Sequence, residues 1–375
     1  EVVDGRLHDQ FVVDVFSSGA GTAFHMNVNE VLANRAIELL GGRRGDYQRV
    51  HPNDHVNMAQ STNDVIPTVT RLAALALVER LLPELKALEK ALRAKAKEFD
   101  SVVKAGRTHL QDAVPMRLGQ EFSGYAGAVR RGRRAIQHAA GALREIGLGA
   151  TAVGTGINAH PEFRPRVVER LTALTGWDLR PAEDLFEAHQ SLAPFAGLSS
   201  ALKVLALELI RIANDLRLLS SGPNTGLNEI NLPAVMPGSS IMPGKVNPSI
   251  PEMLDMVCFQ VVGNDVTISL AVQAGQMEIN VMTPVAGYNL LQSLELLGNA
   301  VHVFTERCVR GITANAERCR AYAERTLALA TALNPYIGYE KAAKVAQEAL
   351  ATGRSLKEIV VAWKLLSRAE ADRVL

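Results

Sequence analysis

The sequence predicts an all-α protein built on a central bundle of long helices. Three observations carry this. Helical apolar patterns recur over long spans, near residues 67–99, 115–146, 192–220 and 251–270, with another running to about Val309. Aromatic residues make up only 5% while apolar residues reach 47%, so the core is mainly aliphatic. The segments between these spans are turn-rich in Gly, Pro, Asn and Ser, while the spans themselves have the length of bundle members.

Taken in order, Phe11–Phe16 mixes β-branched residues and leads into SSGAGTA from Ser17, where Gly19 and Gly21 allow a sharp turn or a close ligand approach beside Thr22. Residues Met26–Leu40 read as a helix unusually rich in amides: Asn27, Asn29 and Asn34. His51–Thr68 gathers a polar cluster. Within it Ser61, Thr62 and Asn63 either bind a carboxylate through neutral hydrogen bonds or cap the helix expected from near Pro67. Arg107, Thr108, His109 and Gln111 precede a second long helix, expected from near Pro115; they form a second substrate wall or a satisfied buried network. Gly147–Phe163 is a glycine-rich turn. His189, in EAHQS, is an activating group or a structural histidine at a helix start. Beyond Thr313 the composition is more charged and the helices shorter. The chain exceeds the size at which one core keeps growing. The expected division is 1–60, 61–316 as the helical bundle carrying the reactive loop, and 317–375 as a small terminal unit.

The densest chemistry lies in the loop Gly238, Ser239, Ser240, Ile241, Met242, Pro243, Gly244, Lys245, Val246, Asn247, Pro248. Pro243 has no N–H to donate, and Pro248 pushes Asn247 out of helical conformation, so this run is a loop between helices. Its hydroxyls, ammonium and amide make it a candidate reactive segment on a rigid frame.

Composition excludes much. Forty Lys and Arg against 39 Asp and Glu give a net charge of +1, which offers no general attraction for nucleic acid or an anionic membrane. No uncharged run of eighteen apolar residues occurs. The three cysteines have no CxxC spacing and read as reduced thiols in a cytoplasmic protein. There is no HExxH, no P-loop and no GxSxG, so no metal or other cofactor is called for and a hydrolase elbow is absent.

With GSSIMPGKVNPSIPE, the runs GAGT, HPNDHVNMAQSTND, GRTHLQDAVP and GATAVGTG make the chain resemble the fumarase and aspartase superfamily over essentially its whole length. The resemblance implies a long-helix bundle that forms a twenty-helix core in a homotetramer, with each active site shared by three chains. It implies a small dicarboxylate or amino-acid substrate, with substrate walls at Thr22, Ser61, Thr62, Asn63, Thr108 and His109. Catalytic roles would fall to Ser239 as base, to Lys245 and Asn247 as stabilisers of an aci-carboxylate, to Glu252 as an acid positioning the loop region, and to His189 on the acid side. It further implies that Glu1 lies inside an N-terminal domain and that residues are missing at both ends.

GLNEINLP, GQMEINVM, RCVRGITAN and STND resemble the aspartase branch more than the fumarase branch, which makes elimination of ammonia from L-aspartate the expectation and malate–fumarate hydration the alternative. EAHQ retains a histidine that many aspartases replace. Relative to the superfamily pattern, His25 stands where asparagine is usual, Ala23 replaces a hydroxyl residue, and Asn224 replaces an arginine.

Overall fold

A computed structural model describes residues 1–17 and 19–375; Ser18, in the glycine run before Thr22, lies outside them. In chain order the helices are α1 (Thr22–Leu39), α2 (Thr62–Glu98), α3 (Leu118–Ala140), α4 (Phe163–Thr175), α5 (Leu185–Gln190), α6 (Ala193–Leu219), α7 (Ser249–Gln273), α8 (Thr283–Arg307), α9 (Ala316–Arg325), α10 (Asn334–Ile337), α11 (Tyr339–Thr352), α12 (Leu356–Ala362) and α13 (Arg368–Val374). Strands among the described residues are confined to three two-stranded pieces: β1 (Val103–Thr108) with β2 (Gln111–Arg117), β3 (Glu145–Ile146) with β4 (Arg180–Pro181), and β5 (Ile230–Asn231) with β6 (Thr313–Ala314). The all-α expectation holds.

Two local expectations need correction. Helix α2 starts at Thr62 rather than near Pro67. Pro67 sits inside it, and the hydroxyls of Thr68 and Thr70 donate back to the carbonyls of Asp64 (2.6 Å) and Ile66 (2.9 Å), so side chains bond the backbone on either side of the proline. Pro115 does not open a helix. It lies in β2 of an antiparallel hairpin, opposite Ala105, and α3 begins three residues later at Leu118. A two-stranded hairpin has only edge strands, which tolerate a missing N–H.

The chain divides into two compact units, each discontinuous in sequence. Unit one is Glu1–Lys86, Arg130–Ile210 and Leu254–His302; unit two is Ala87–Val129, Arg211–Met253 and Val303–Leu375. The five long helices α2, α3, α6, α7 and α8 each contribute residues to both. In unit one, fully buried Leu81, Leu85, Leu198, Leu202, Leu205 and Leu290 form an aliphatic core. There α3 approaches α6 so closely that a Cβ at Gly132 would stand 2.7 Å from Leu205. Unit two packs Phe122 edge-on against Phe99 and Tyr125. It also holds a separate apolar cluster at the C-terminal end, centred on Leu333, Val345, Ile359 and Val360. Capping boxes at Ser355 and Ser367 start α12 and α13.

Candidate active site

Within unit one, the start of α1 and the start of α2 are joined by side chains. The Thr22 hydroxyl donates to Gly19 O at 2.8 Å, closing the turn before α1, whose cap Gly21 has a φ of 92°. One turn along α1, buried His25 places Nδ1 3.0 Å from the Thr62 hydroxyl. Burial lowers the pKa of His25, which favours the neutral imidazole. Ser61 Oγ accepts from the Asn63 N–H at 3.3 Å, and the Ser61 N–H donates to Asp64 at 3.1 Å.

Asp64 then reaches the glycine-rich turn: its second carboxylate oxygen accepts from Gly149 N (3.0 Å) and Thr151 N (2.8 Å). Desolvation raises the Asp64 pKa, opposed by these backbone donors. Asn63 Nδ2 donates to Ala152 O at 2.7 Å. His189 is buried, with Nε2 2.9 Å from Thr151 O and Nδ1 3.0 Å from Leu185 O. Both ring nitrogens thus face backbone carbonyls, and the ring braces the 149–152 turn. Of the predicted residues, Ser61, Asn63 and His189 thus meet around Asp64 and the 149–152 turn, Thr62 is tied to His25, and the Thr22 side chain stays with its own turn at Gly19.

Sequence reasoning placed Asp64 in the His51–Thr68 polar cluster without a role and passed over Thr151. Thr151 has a φ of 59° and a buried hydroxyl without a hydrogen-bond partner. A hydroxyl residue inside the glycine-rich run GATAVGTG was the available signal.

Within unit two, Thr108 and His109 sit exposed at the tip of the β1–β2 hairpin. His109 and Leu110 both take positive φ, 56° and 59°, making a tight left-handed turn without glycine or asparagine. The reactive loop is closed at its stem by Gly238 N donating to Lys245 O (2.8 Å) and Asn247 Nδ2 donating to Gly238 O (2.9 Å). At its head, Ser239 Oγ accepts from the N–H groups of Ile241 (3.2 Å) and Met242 (3.0 Å). Two donors aimed at one hydroxyl oxygen favour its anionic form. Lys245 extends into solvent, and the side chains of Ile241, Met242 and Val246 are exposed as well.

Glu252, in the first turn of α7, lies 3.8 Å from Arg217. Among the described residues no hydrogen bond joins the hairpin tip to the loop. A small cavity of about 170 Å³ opens beside the loop stem, lined by Ser220, Asn228, Asn231, Val246 and Asn247 among others. No cluster of three or more metal-ligating side chains occurs among the described residues. Burial pushes the thiols of Cys258 and Cys308 up to about 12 and that of Cys319 up to about 11, so none is poised as a nucleophile.

The chain matches the lyase family model over residues 1–263 and the fumarase C C-terminus model over residues 329–375. The chain belongs to the fumarase/aspartase family of lyases. Similar members of this family include an aspartate ammonia-lyase of Bacillus subtilis, 48% identical over 375 residues, which cover the whole of this chain and 79% of that protein. Two solved family structures superpose with a TM-score of 0.95, and in each the match spans all of this chain and 81% of the other. One is a fumarate lyase:delta crystallin of Brucella melitensis bound to cobalt, at 50% identity. The other is a recombinant class II fumarase of Schistosoma mansoni, at 41%.

Proposed function

We propose that the protein is an aspartate ammonia-lyase, catalysing reversible anti elimination of ammonia from L-aspartate to give fumarate. The observation that carries the choice of leaving group is the likeness, across the whole chain, to an aspartate ammonia-lyase at 48% identity. Ser239 takes the proton from Cβ, its oxygen supported by the Ile241 and Met242 N–H groups. The electron pair passes into the neighbouring carboxylate as an aci-carboxylate. It then returns to form the Cα–Cβ double bond as the C–N bond breaks and ammonia departs. Charge builds on the carboxylate during the first step. Donors already fixed at that position stabilise it most, and Lys245, Asn247, Thr108 and His109 are assigned to it.

The site groups lie in different segments, and apolar side chains of the loop stand in solvent in the single chain. Both features support active sites assembled in a homotetramer from three chains, with closure of the loop excluding water.

A second reading, a class II fumarate hydratase acting on L-malate, is favoured by the 41% identity to the Schistosoma fumarase and by the retained His189. The two readings separate in one assay. Purified protein is given L-aspartate or L-malate, and fumarate is followed by its ultraviolet absorbance. Turnover of aspartate with release of ammonia supports the proposal; turnover of malate alone transfers the assignment to the hydratase.

A further inference from the structure

Unit two contains a buried charge cluster that the proposed chemistry does not use. Glu229 is wholly buried. Its Oε1 accepts from Arg107 Nη1 at 2.9 Å, and its Oε2 lies 3.0 Å from Nζ of Lys104, which is 3% exposed. The Lys104 contact is ionic rather than a well-aligned hydrogen bond, because Oε2 has no hydrogen-bond partner. Lys104 also donates to Glu121 at 2.8 Å, so two cations and two carboxylates balance.

The cluster sits beside a bulge in the hairpin. Lys104 and Arg107 are three residues apart on β1 and would point to opposite faces of a regular strand. The register shifts between Ala105 and Arg107, where Gly106 runs so close to β2 that a Cβ there would stand 2.7 Å from Val114 O. The extra residue lies on β2, where Ala113 and Val114 stand opposite Gly106, and beside this bulge both cations reach one carboxylate. Arg107 is further held against the Tyr322 ring, 5.4 Å from its centroid. Arg107 is the residue immediately before Thr108 and His109.

The backbone of Glu229 is as fixed as its side chain. Its N–H donates to Leu219 O (2.8 Å), and its carbonyl accepts from Asn315 N (2.9 Å). It directly precedes β5, from which the chain runs to the reactive loop.

We propose that Glu229 is a positioning residue: through Arg107 it fixes the hairpin tip bearing Thr108 and His109 relative to the segment that leads into the Ser239 loop. This rests on the assignment of Thr108 and His109 to the substrate wall above. Glu229 touches neither substrate nor reacting atoms. It acts by denying the tip the freedom that a two-residue turn between short strands would otherwise have.

The test separates positioning from bulk stability. Glu229→Gln removes one anion and leaves the buried cations in excess. The double variant Lys104→Met with Glu229→Gln restores the charge balance but leaves Arg107 facing a neutral amide in place of its ionic anchor. Three readouts are taken on wild type and variants: melting temperature, kcat and KM for L-aspartate, and amide exchange over residues 107–112. The expected result is a double variant whose melting temperature recovers while kcat stays roughly tenfold or more below wild type, with fast exchange persisting at the tip. Recovery of kcat and of slow exchange together with the melting temperature overturns the proposal. So does a Glu229→Gln variant with wild-type kcat and exchange. Should the single variant not fold, the double variant and Glu229→Asp, which keeps the charge but shortens its reach, give the same reading. If wild type turns over neither aspartate nor malate, the functional reading falls, while the exchange data still judge the role of Glu229.

Discussion

A serine is a weak base in water, and around the proposed base Ser239 the loop places two backbone donors on Oγ and a lysine on the same segment. Ser239→Ala is therefore expected to reduce kcat by roughly 10²- to 10⁴-fold, the range of a general base. Substrate dissociation constants measured by calorimetry should change little. His25 gives a pH prediction. Its folded pKa lies below the ordinary 6.5, so at acid pH the unfolded chain binds the extra proton and the folded chain resists it. The stability it protects is complete above that value and is lost as pH falls through it toward the folded pKa. His25→Asn should flatten the decline in melting temperature between about pH 7 and pH 5; an unchanged slope would contradict the assignment. At this scale, the candidates in dense local motifs, Ser239, Lys245, Asn247, Thr108 and His109 among them, could be named from the sequence, and their roles remain the proposal above. The contacts of Asp64 and Glu229 were not legible, because their partners stand 85 to 87 and 122 residues away and only the fold brings them together.

Among the elements, the loop stem is sharply constrained. A Cβ at Gly238 would meet Lys245 O at 2.6 Å and Asn247 N at 2.8 Å, both backbone atoms that cannot yield cheaply. Gly238→Ala should open the stem and displace Ser239 from Lys245. Misplacement on the ångström scale costs roughly 10²-fold in kcat. The melting temperature should hardly move, since the loop lies outside the buried core; equal losses in both would argue for a scaffold role instead. The long helices were readable because their apolar period persists for many turns: the span expected at 192–220 is observed as Ala193–Leu219. The β1–β2 hairpin was not. Its turn is His109–Leu110, without the glycine or asparagine that ordinarily announces such a turn, and Pro115 in β2 reads as a helix start.

Across the whole molecule, two helices carry apolar residues that the single chain leaves uncovered. On α7, Met256, Phe259, Val266 and Leu270 are 56–65% exposed and recur at helical spacing along one stripe. On α6, Val204 and Leu207 are 52% exposed. Both helices are long and apolar enough to cross a membrane by length and composition alone. Both also carry charges: Asp265 of α7 accepts from Lys203 of α6 at 2.6 Å and from Ser199 at 2.7 Å, an arrangement suited to a water-soluble bundle. The proposed occupants of the stripe are the same helices of other copies. Covering the part of each such side chain that remains exposed contributes about 1–2 kcal/mol. Phe259→Glu is accordingly expected to shift sedimentation from the proposed tetramer toward smaller species and to remove activity in the same proportion, because the proposed sites, shared by three chains, cannot survive dissociation. A monomeric variant with full activity would refute site sharing.

The central claim is that this chain eliminates ammonia from aspartate using Ser239, and the most direct measurement compares wild type with Ser239→Ala on L-aspartate while fumarate and ammonia are followed together. The prediction is equimolar fumarate and ammonia from wild type and near-complete loss in the variant, with tetramer and melting temperature preserved. Elimination that persists undiminished in Ser239→Ala, or a wild type that converts L-malate but not L-aspartate, would contradict it.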